Sequence, residues 1–200
     1  MTHQHGTGSE HHFGARAEAY DAGPEGRLAA RFYRRLLSAL NLPDGARVLD
    51  VGCGTGRLLK LMAEQWPIAG HGLDAAPEMV RVAQRQCPDM DIRLGTAEAL
   101  PFADGSMDLV TTCLAYHHFP DRLGFLAEAA RVLAANGRLA VTEPRFPLPA
   151  YTVFRPLLRH IDEHAHFLTV AALQAEIEAA GFKRLSLLTK HYVQVQLFAL

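Results

Sequence analysis

The segment from Val48 to Arg57 constrains the fold of this chain more than any other. It reads VLDVGCGTGR, which is a short apolar strand, a turn with glycine at alternate positions and the start of a helix. Glycine lets the backbone turn sharply and lets a ligand lie against the main chain, and the free N–H groups of the following helix favour an anionic group. The segment therefore predicts a nucleotide-type site at the carboxyl edge of a parallel sheet. The alternative, a tight turn without a ligand, is disfavoured because strand, turn and helix occur together.

Short apolar runs alternate with helical patterns along most of the chain. The predicted strands are 47–51, 68–74, 92–94, 107–113 and 137–143, and the predicted helices are 58–65, 77–86, 122–133 and 170–180. Strands separated by single helices form right-handed βαβ units, so we expect an α/β, Rossmann-like sheet with helices on both faces. Two further apolar stretches, 182–188 and 192–200, are joined by three residues and should pair as an antiparallel C-terminal hairpin.

Length and charge narrow the classes of function. With 200 residues the chain fits a single domain over 1–200, and 20 basic against 21 acidic residues give no field that would attract nucleic acid. No apolar run is long enough to span a bilayer, and the polar, His-rich start lacks the pattern of a signal peptide. The three cysteines are far apart in the sequence, which is more typical of reduced thiols than of a disulfide framework. The sequence therefore predicts a cytoplasmic protein with a small-molecule partner, no nucleic acid and no membrane span, and it leaves a homodimer open.

The ligand of the glycine turn is narrowed by its spacing. The turn is G-x-G-x-G after Asp50, whereas dinucleotide enzymes use G-x-G-x-x-G, and no Lys-Ser/Thr pair follows to hold phosphate and magnesium. Asp74 ends the second predicted strand, where a carboxylate can accept hydrogen bonds from both ribose hydroxyls. Pro77 also makes a turn or helix-capping role plausible for Asp74, and the two roles are compatible.

Several blocks of the sequence are typical of one family. They are Val48–Gly56, Gly72–Asp74, Thr96–Phe102, Asp108–Val110, His117–Phe119, Ala130–Leu133, Asn136–Leu139 and Ala179–Phe182. With these blocks the chain resembles the class I S-adenosylmethionine-dependent methyltransferases, in particular those similar to the ubiquinone/menaquinone C-methyltransferases (methyltransferase type 11), over about residues 12–200.

The resemblance implies a seven-stranded sheet with the last strand inserted antiparallel. It also implies that S-adenosylmethionine is the cofactor, S-adenosylhomocysteine the product, and methyl transfer to a small-molecule acceptor the activity. The cofactor-binding residues that it implies are Asp50, Gly52, Cys53, Gly54, Gly56, Asp74, Ala75, Met79, Thr96, Ala97, Glu98, Cys113 and Leu114. Thr96 departs from the family pattern, because relatives commonly carry an aspartate there; threonine can accept the hydrogen bond of an adenine amino group, but without a charge.

The pair His117-His118 follows the fourth predicted strand and is the first candidate for a catalytic base, ahead of Tyr20 and Glu143. A packing role that closes the cofactor pocket is the alternative for the two histidines. Methyl transfer from a sulfonium needs mainly alignment and exclusion of water, which agrees with the lack of a nucleophilic triad.

Three segments surround the predicted site. Residues 1–12 are predicted to be a flexible tail, and residues 13–40 resemble the N-terminal lid helices of the family. The Pro-rich segment 144–167 interrupts the βα rhythm and is predicted to be a substrate-lid insertion. Tyr20, Tyr151 and Phe154 are the predicted substrate contacts. The aromatic residues of the insertion indicate an apolar or aromatic acceptor, or else only pack the lid.

The remaining histidines predict no metal site. The histidines near the start of the chain are consistent with a tag-like tail as well as with metal ligands; they are His3, His5, His11 and His12. The histidines of the insertion are consistent with a solvated helix face as well as with a ligand cluster; they are His160, His164 and His166. An NAD(P) oxidoreductase, a metalloid methyltransferase and a non-catalytic S-adenosylmethionine-binding module or partner subunit are the alternative functions. The acceptor and the atom that is methylated stay open.

Overall fold

A seven-stranded sheet forms the centre of the molecule. The computed structural model describes residues 17–145 and 166–200. The strands are β1 (Ala46–Val51), β2 (Ile68–Asp74), β3 (Asp91–Leu94), β4 (Met107–Cys113), β5 (Leu133–Pro144), β6 (Lys183–Lys190) and β7 (Val193–Ala199). Their order is β3-β2-β1-β4-β5-β7-β6. The first five are parallel, and β7 pairs antiparallel with both β5 and β6. The predicted fold class is confirmed.

Five α-helices and two 3-10 helices surround this sheet in the described ranges. They are the N-terminal 3-10 helix (Ala17–Ala22), α1 (Pro24–Ala39), α2 (Arg57–Ala63), α3 (Pro77–Gln86), a 3-10 turn (Tyr116–His118), α4 (Arg122–Val132) and α5 (Val170–Ala179). Proline opens α1 and α3, where its missing N–H is not needed. Asp121 caps α4 by accepting from the Gly124 N–H, and Thr169 caps α5 in the same way from Ala172.

The two faces of the sheet bury separate hydrophobic cores, because successive strand residues point to opposite faces. Val48 belongs to the core beneath α1 and α2, which includes Phe32 and Leu58, whereas Leu49 belongs to the core that contains Phe125 of α4 and Ile177 of α5. These two layers hold the carboxyl ends of β1, β2 and β4 rigidly at one edge.

The sequence has apolar residues at four-residue spacing, Leu28, Phe32, Leu36 and Leu40, which predict the buried face of α1. Phe32, Leu36 and Leu40 are buried as expected, but Leu28 is 45% exposed. The helix instead buries Tyr33, together with the neighbouring Ala29 and Leu37. A pattern that advances four residues at a time drifts around a helix of 3.6 residues per turn, so its first member lies outside the buried face.

The start of the fifth strand and the hairpin turn also differ from the predictions, whereas the other predicted boundaries agree within two residues. The fifth strand was predicted to begin at residue 137, but β5 begins at Leu133, which pairs with Met107 across an irregularity in the register. The hairpin turn is shorter than predicted, since β6 continues to Lys190 and His191 adopts a left-handed φ of 53°. The predicted tail 1–12, the first residues of the lid and most of the insertion lie outside the described residues.

Within the described ranges, no helix combines the length and the apolar character that crossing a membrane requires.

Candidate functional site

An open cavity lies at the carboxyl edge of the sheet, where β1, β2 and β4 end. It encloses about 970 Å³, including its mouth to solvent. The structure brings together in its wall most of the residues predicted to bind the cofactor: Gly52, Cys53, Gly54, Asp74, Ala75, Met79, Thr96, Ala97, Glu98, Cys113 and Leu114. The glycine turn, the end of β2 and the end of β4, which are far apart in sequence, thus meet at one place.

The glycine turn depends on glycine at Gly52 and Gly54. Both have left-handed φ values, 76° and 53°. A Cβ on Gly52 would come within 2.4 Å of the Cβ of Ala115, so the turn and the segment after β4 approach too closely for any side chain. Gly54 is different, because no atom lies within 4 Å of its Cβ position. This open space above the turn is the kind of cradle that a ligand fills.

Gly56 has another role in the free protein. It stands at the N-terminal end of α2 with φ 79°, and a Cβ there would meet Cys87 Sγ at 3.1 Å and Ala83 Cβ at 3.2 Å. It is not part of the cavity wall. Its small size lets α2 pack against α3, and a contact between Gly56 and the cofactor stays a prediction.

Asp74 connects β2 to the glycine turn. Its Oδ2 accepts a hydrogen bond from the Gly54 N–H at 2.7 Å, and its Oδ1 accepts one from the Ala76 N–H at 2.9 Å. The turn role considered for Asp74 is therefore present, whereas α3 begins after Ala76 without a side-chain cap. A carboxylate oxygen can accept more than one hydrogen bond, so the turn role is compatible with a ligand in the cavity.

Asp50 lies behind the cavity wall at the end of β1 and is 2% exposed. Within residues 17–145 and 166–200, its Oδ1 has no hydrogen-bond partner. Burial, followed by the nearby negative charge of Asp74, raises the pKa of Asp50 to about 8. A buried carboxyl group in this condition is an expected neighbour of a cationic ligand group.

Two tyrosines cover the cavity from the N-terminal helices. Tyr20, a predicted substrate contact, and Tyr33 both line it. Burial is the main cause that raises the pKa of Tyr20 to about 12, and burial likewise raises that of Tyr33. Both phenols are therefore neutral hydrogen-bonding groups at physiological pH.

The N-terminal 3-10 helix is attached to the body of the protein through Asp21. Its carboxylate accepts hydrogen bonds from Thr55 Oγ1 at 3.0 Å and from Gln86 Nε2 at 3.2 Å, while Arg57 donates to its backbone carbonyl at 3.2 Å. Thr55 belongs to the glycine turn. The position of the N-terminal 3-10 helix is thus coupled directly to the loop that forms the cavity.

The far wall of the cavity follows β4. Leu114 has φ 60°, which is uncommon for a residue with a branched side chain and indicates local strain at this edge. Its N–H is held by the Thr142 carbonyl of β5 at 2.9 Å. The burial of Cys113 beside it raises the pKa of this thiol, so it is a neutral, apolar part of the wall.

The two candidate histidines occupy different positions. His118 lines the cavity, whereas His117 lies behind it and is not part of the wall. The Nδ1 atom of His117 is 2.5 Å from Oε2 of Glu143, another of the predicted base candidates, and both side chains are buried. Sequence reasoning had considered these residues separately, and the structure joins them as a pair.

The other predicted residues fall outside what the structure describes. Tyr151 and Phe154, the remaining substrate candidates, are in this group, as are the histidines of the tail and His160 and His164. Their roles stay predictions, as does the expectation that the chain binds no metal.

The structure also adds residues that the sequence did not suggest. The cavity wall contains Tyr33, Val51, Leu73, Ala76, Gly95, Ala115, Phe119 and Pro120. Most are neighbours of predicted residues and could have been found by extending each motif by one position. Tyr33 could not, because its place depends on which side of α1 packs against the sheet.

The sequence is similar to known methyltransferases. A family model described as "Methyltransferase domain" matches residues 49–141. A ubiquinone/menaquinone biosynthesis C-methyltransferase of Citrifermentans bemidjiense is 32% identical over 148 residues, which cover 70% of this chain and 60% of that relative. An aklanonic acid methyltransferase of Streptomyces sp. strain C5 is 35% identical over 157 residues, covering 68% of this chain and 71% of the relative.

The fold is also similar to solved structures. A chain in the complex of the Haloferax volcanii Trm112 methyltransferase activator with a methyltransferase has a TM-score of 0.81 at 22% identity, covering 94% of this chain and 96% of that one. The chain spans 42% to 66% of the length of three of its curated relatives. The names of the curated methyltransferases do not favour a non-catalytic module. In sequence and in fold, the chain belongs to the class I S-adenosylmethionine-dependent methyltransferases.

Proposed function

We propose that this chain transfers a methyl group from S-adenosylmethionine to a small-molecule acceptor. One observation carries the proposal: the cavity at the carboxyl edge combines an open glycine cradle with the carboxyl group of Asp74, and the buried carboxyl group of Asp50 lies behind its wall. Such a site suits a ligand that has both ribose hydroxyls and positive charge. A dinucleotide would need a phosphate-binding turn of different spacing.

The residues present fit the cofactor. Asp74, in the cavity wall, would accept from the ribose hydroxyls, and the open space above Gly54 would hold the methionine portion. The unpartnered Oδ1 of Asp50 gives a reason for an ammonium group nearby. Met79 and Thr96 belong to the part of the wall proposed to border the adenine.

Methyl transfer requires little from the protein beyond correct positioning of the reactants. When bound, S-adenosylmethionine supplies a methyl group that is already activated on a sulfonium. The chain's own task is to align the acceptor and to exclude water, for which Tyr20, Phe119 and Pro120 provide a largely apolar wall.

An apolar or aromatic acceptor is the second part of the proposal. It is supported by this apolar wall and by the names of two relatives, one from ubiquinone/menaquinone biosynthesis and one that acts on aklanonic acid. Tyr151 and Phe154 are proposed to contact it. Replacing both by alanine should raise KM for the acceptor or lower turnover, with S-adenosylmethionine affinity changed by less than about threefold.

The test has two steps. Calorimetry should detect S-adenosylmethionine binding that S-adenosylhomocysteine competes away, and absence of both signals would contradict the proposed cofactor site. Release of S-adenosylhomocysteine should then be followed with a panel of substituted hydroquinones, aromatic carboxylic acids and malonyl thioesters. Cofactor binding without turnover of any member of a broad panel would favour a binding module instead.

Location and assembly complete the proposal. We place the protein in the cytosol, which is supported by three free, buried cysteines. A homodimer is tested by light scattering, with attention to Leu185 and Leu187, which are exposed on the edge strand β6.

A further inference from the structure

The β3–β4 loop, residues 95–106, forms one side of the cavity. These residues belong to no helix or strand, so the hydrogen bonds of a regular element do not fix their shape. Three consecutive residues of the loop, Thr96, Ala97 and Glu98, line the cavity. The Gly95 N–H donates to the Asp74 carbonyl at 3.0 Å, which attaches the start of the loop to β2. The position of the three wall residues therefore also depends on what holds the loop beyond them.

An ion pair on α4, formed by Glu128 and Arg131, holds the loop on the other side of these residues. The Leu100 N–H donates to Glu128 Oε2 at 2.7 Å, and the Leu100 carbonyl accepts from Arg131 Nη2 at 2.9 Å. Nη1 of the same guanidinium donates to the Phe102 carbonyl at 2.8 Å and to Asp104 Oδ1 at 2.7 Å. The pair thus binds both polar backbone groups of one loop residue and the carbonyl of another.

The pair itself has a fixed geometry. Nε and Nη2 of Arg131 donate to the two carboxylate oxygens of Glu128, each at 2.7 Å, and this contact is the main cause that lowers the pKa of Glu128. α4 is packed into the core of the molecule through Phe125 and Ala129. Neither member of the pair is part of the cavity wall. Any effect of the pair on a ligand in the cavity must therefore act through the loop.

This chain has a particular need for a well-placed loop. Thr96 offers a ligand an uncharged hydroxyl, which forms weaker hydrogen bonds than a carboxylate does. A base bound without a charged partner depends more on the backbone groups around it. The positions of those groups are set by the two attachments of the loop, at Gly95 and at Leu100.

We propose that Glu128 and Arg131 are positioning residues for the adenine end of S-adenosylmethionine, which they serve by holding the β3–β4 loop in the shape that fits the base. The inference rests on the proposed methyl transfer, because it assumes that cofactor. Loss of the pair should weaken recognition of adenine, while the glycine turn and Asp74 still bind the rest of the ligand.

Two ligands that differ only in the base test this role. S-adenosylhomocysteine carries an amino group at the six-position of the purine, where S-inosylhomocysteine carries an oxygen. Calorimetry on the natural protein should give a dissociation constant at least about tenfold lower for the adenine compound, and in Arg131→Ala this ratio should fall to about twofold or less. A merely structural role would weaken both ligands equally and leave the ratio unchanged.

Arg47→Ala is the matched control. Arg47 makes a similar two-pronged contact with Asp108, but at the amino ends of β1 and β4, opposite the cavity, so this variant should keep the natural ratio. Arg131→Lys is a milder second variant, because lysine keeps the charge but cannot present a planar fork to both loop carbonyls. Its ratio should lie between those of the natural protein and Arg131→Ala. An unchanged ratio in a folded Arg131 variant, or no preference for adenine in the natural protein, would overturn the proposal.

A measurement without ligand tests the attachment of the loop directly. Hydrogen exchange in residues 95–104 should be at least about tenfold faster in Arg131→Ala than in the natural protein, with exchange in β1 unchanged. Equal exchange in this segment would overturn the proposal whatever the binding data show. Failure of the proposed function would appear differently, as a natural protein that binds neither of the two ligands.

Discussion

The buried carboxyl group of Asp50 should lower the stability of the free protein. Burial and the neighbouring Asp74 raise its pKa to about 8, against an ordinary aspartate value of about 3.9. Between these two values the folded protein holds a proton that the unfolded chain releases. Stability of the free protein should therefore fall as pH rises through this range and level off above about pH 8.

The Asp50→Asn variant tests how much the ionisation of Asp50 lowers the stability of the free protein. Because asparagine does not ionise, the variant should lack the part of the pH dependence that Asp50 causes, which is about 2 kcal/mol of unfolding free energy between pH 6 and pH 8. Guanidinium denaturation of both proteins at the two pH values gives the comparison. Equal losses in the two proteins would show that Asp50 is ionised in the folded state. The same variant should bind S-adenosylmethionine more weakly, so stability and binding change in opposite directions.

Asp74→Ala should weaken S-adenosylmethionine binding by about tenfold to a hundredfold per lost ribose hydrogen bond, because charge-assisted hydrogen bonds contribute about 1.5–3 kcal/mol each. The variant also loses the bonds to the Gly54 and Ala76 N–H groups, so circular dichroism must first establish that it is folded. Asp44→Ala, in an exposed turn, is the control. Unchanged calorimetric affinity in a folded Asp74→Ala protein would remove Asp74 from the site.

At this scale the sequence predicted what depends on local geometry. Gly52, Gly54 and Asp74 were found because their spacing and their place after a strand carry the information. The pairing of His117 with Glu143 joins two strands that are neighbours only in the folded sheet, so it could not be read from spacing. The raised pKa of Asp50 depends on burial in the folded protein, so it could not be predicted from the sequence either.

At the scale of elements, the N-terminal 3-10 helix is the part of the described chain best placed to control cofactor exchange. Tyr20 lines the cavity, while Asp21 joins this helix to Thr55 in the glycine turn and to Gln86 at the end of α3. If Tyr20 covers a bound ligand, loss of these contacts should let the ligand leave faster.

Asp21→Ala should release S-adenosylhomocysteine about tenfold faster, as expected for the loss of one or two charge-assisted hydrogen bonds. Stopped-flow fluorescence measures the dissociation rate. Glu18→Ala is a control on the same helix, since the Glu18–Arg85 ion pair is largely solvent-exposed and contributes little. If the two variants released the product equally fast, Asp21 would have no special role.

The boundaries of the elements show where sequence patterns are sufficient. β2, α3 and β4 have the predicted limits, because each is bounded by a clear proline, glycine or polar signal. β5 was predicted to begin at residue 137, since Asn136-Gly137 resembles a turn. Pairing with Met107 instead draws the preceding residues into the strand, which is tertiary context overriding a local preference.

At the scale of the whole molecule, stability should be graded across the sheet. β1 and β4 are buried on both faces, whereas β6 is an edge strand with mostly exposed side chains. Hydrogen exchange should therefore be slowest in β1 and β4 and much faster in β6. The topology that causes this gradient was predictable as a class, but the order of strands was not derivable from spacing alone.

Ligand binding should change the hydrogen-exchange protection in one region of the molecule only. With saturating S-adenosylhomocysteine, protection should increase in the N-terminal 3-10 helix and in the glycine turn, where the ligand is expected to order contacts. β6 lies at the far edge of the sheet and should not change. Mass spectrometry of exchanged peptides resolves these segments. A uniform increase would indicate that the ligand stabilises only against global unfolding.

The place of β7 affects how the chain must fold as it is synthesised. β7 follows β6 in the chain but lies between β6 and β5 in the sheet, and among the described strands β6 pairs with β7 alone. Until β7 has left the ribosome, one side of β5 therefore has no partner, even after β6 has emerged. An unpaired strand edge of this kind is a template for association with other chains. Nascent chains paused before β7 should consequently depend on chaperones, and release of that dependence should coincide with the emergence of this strand.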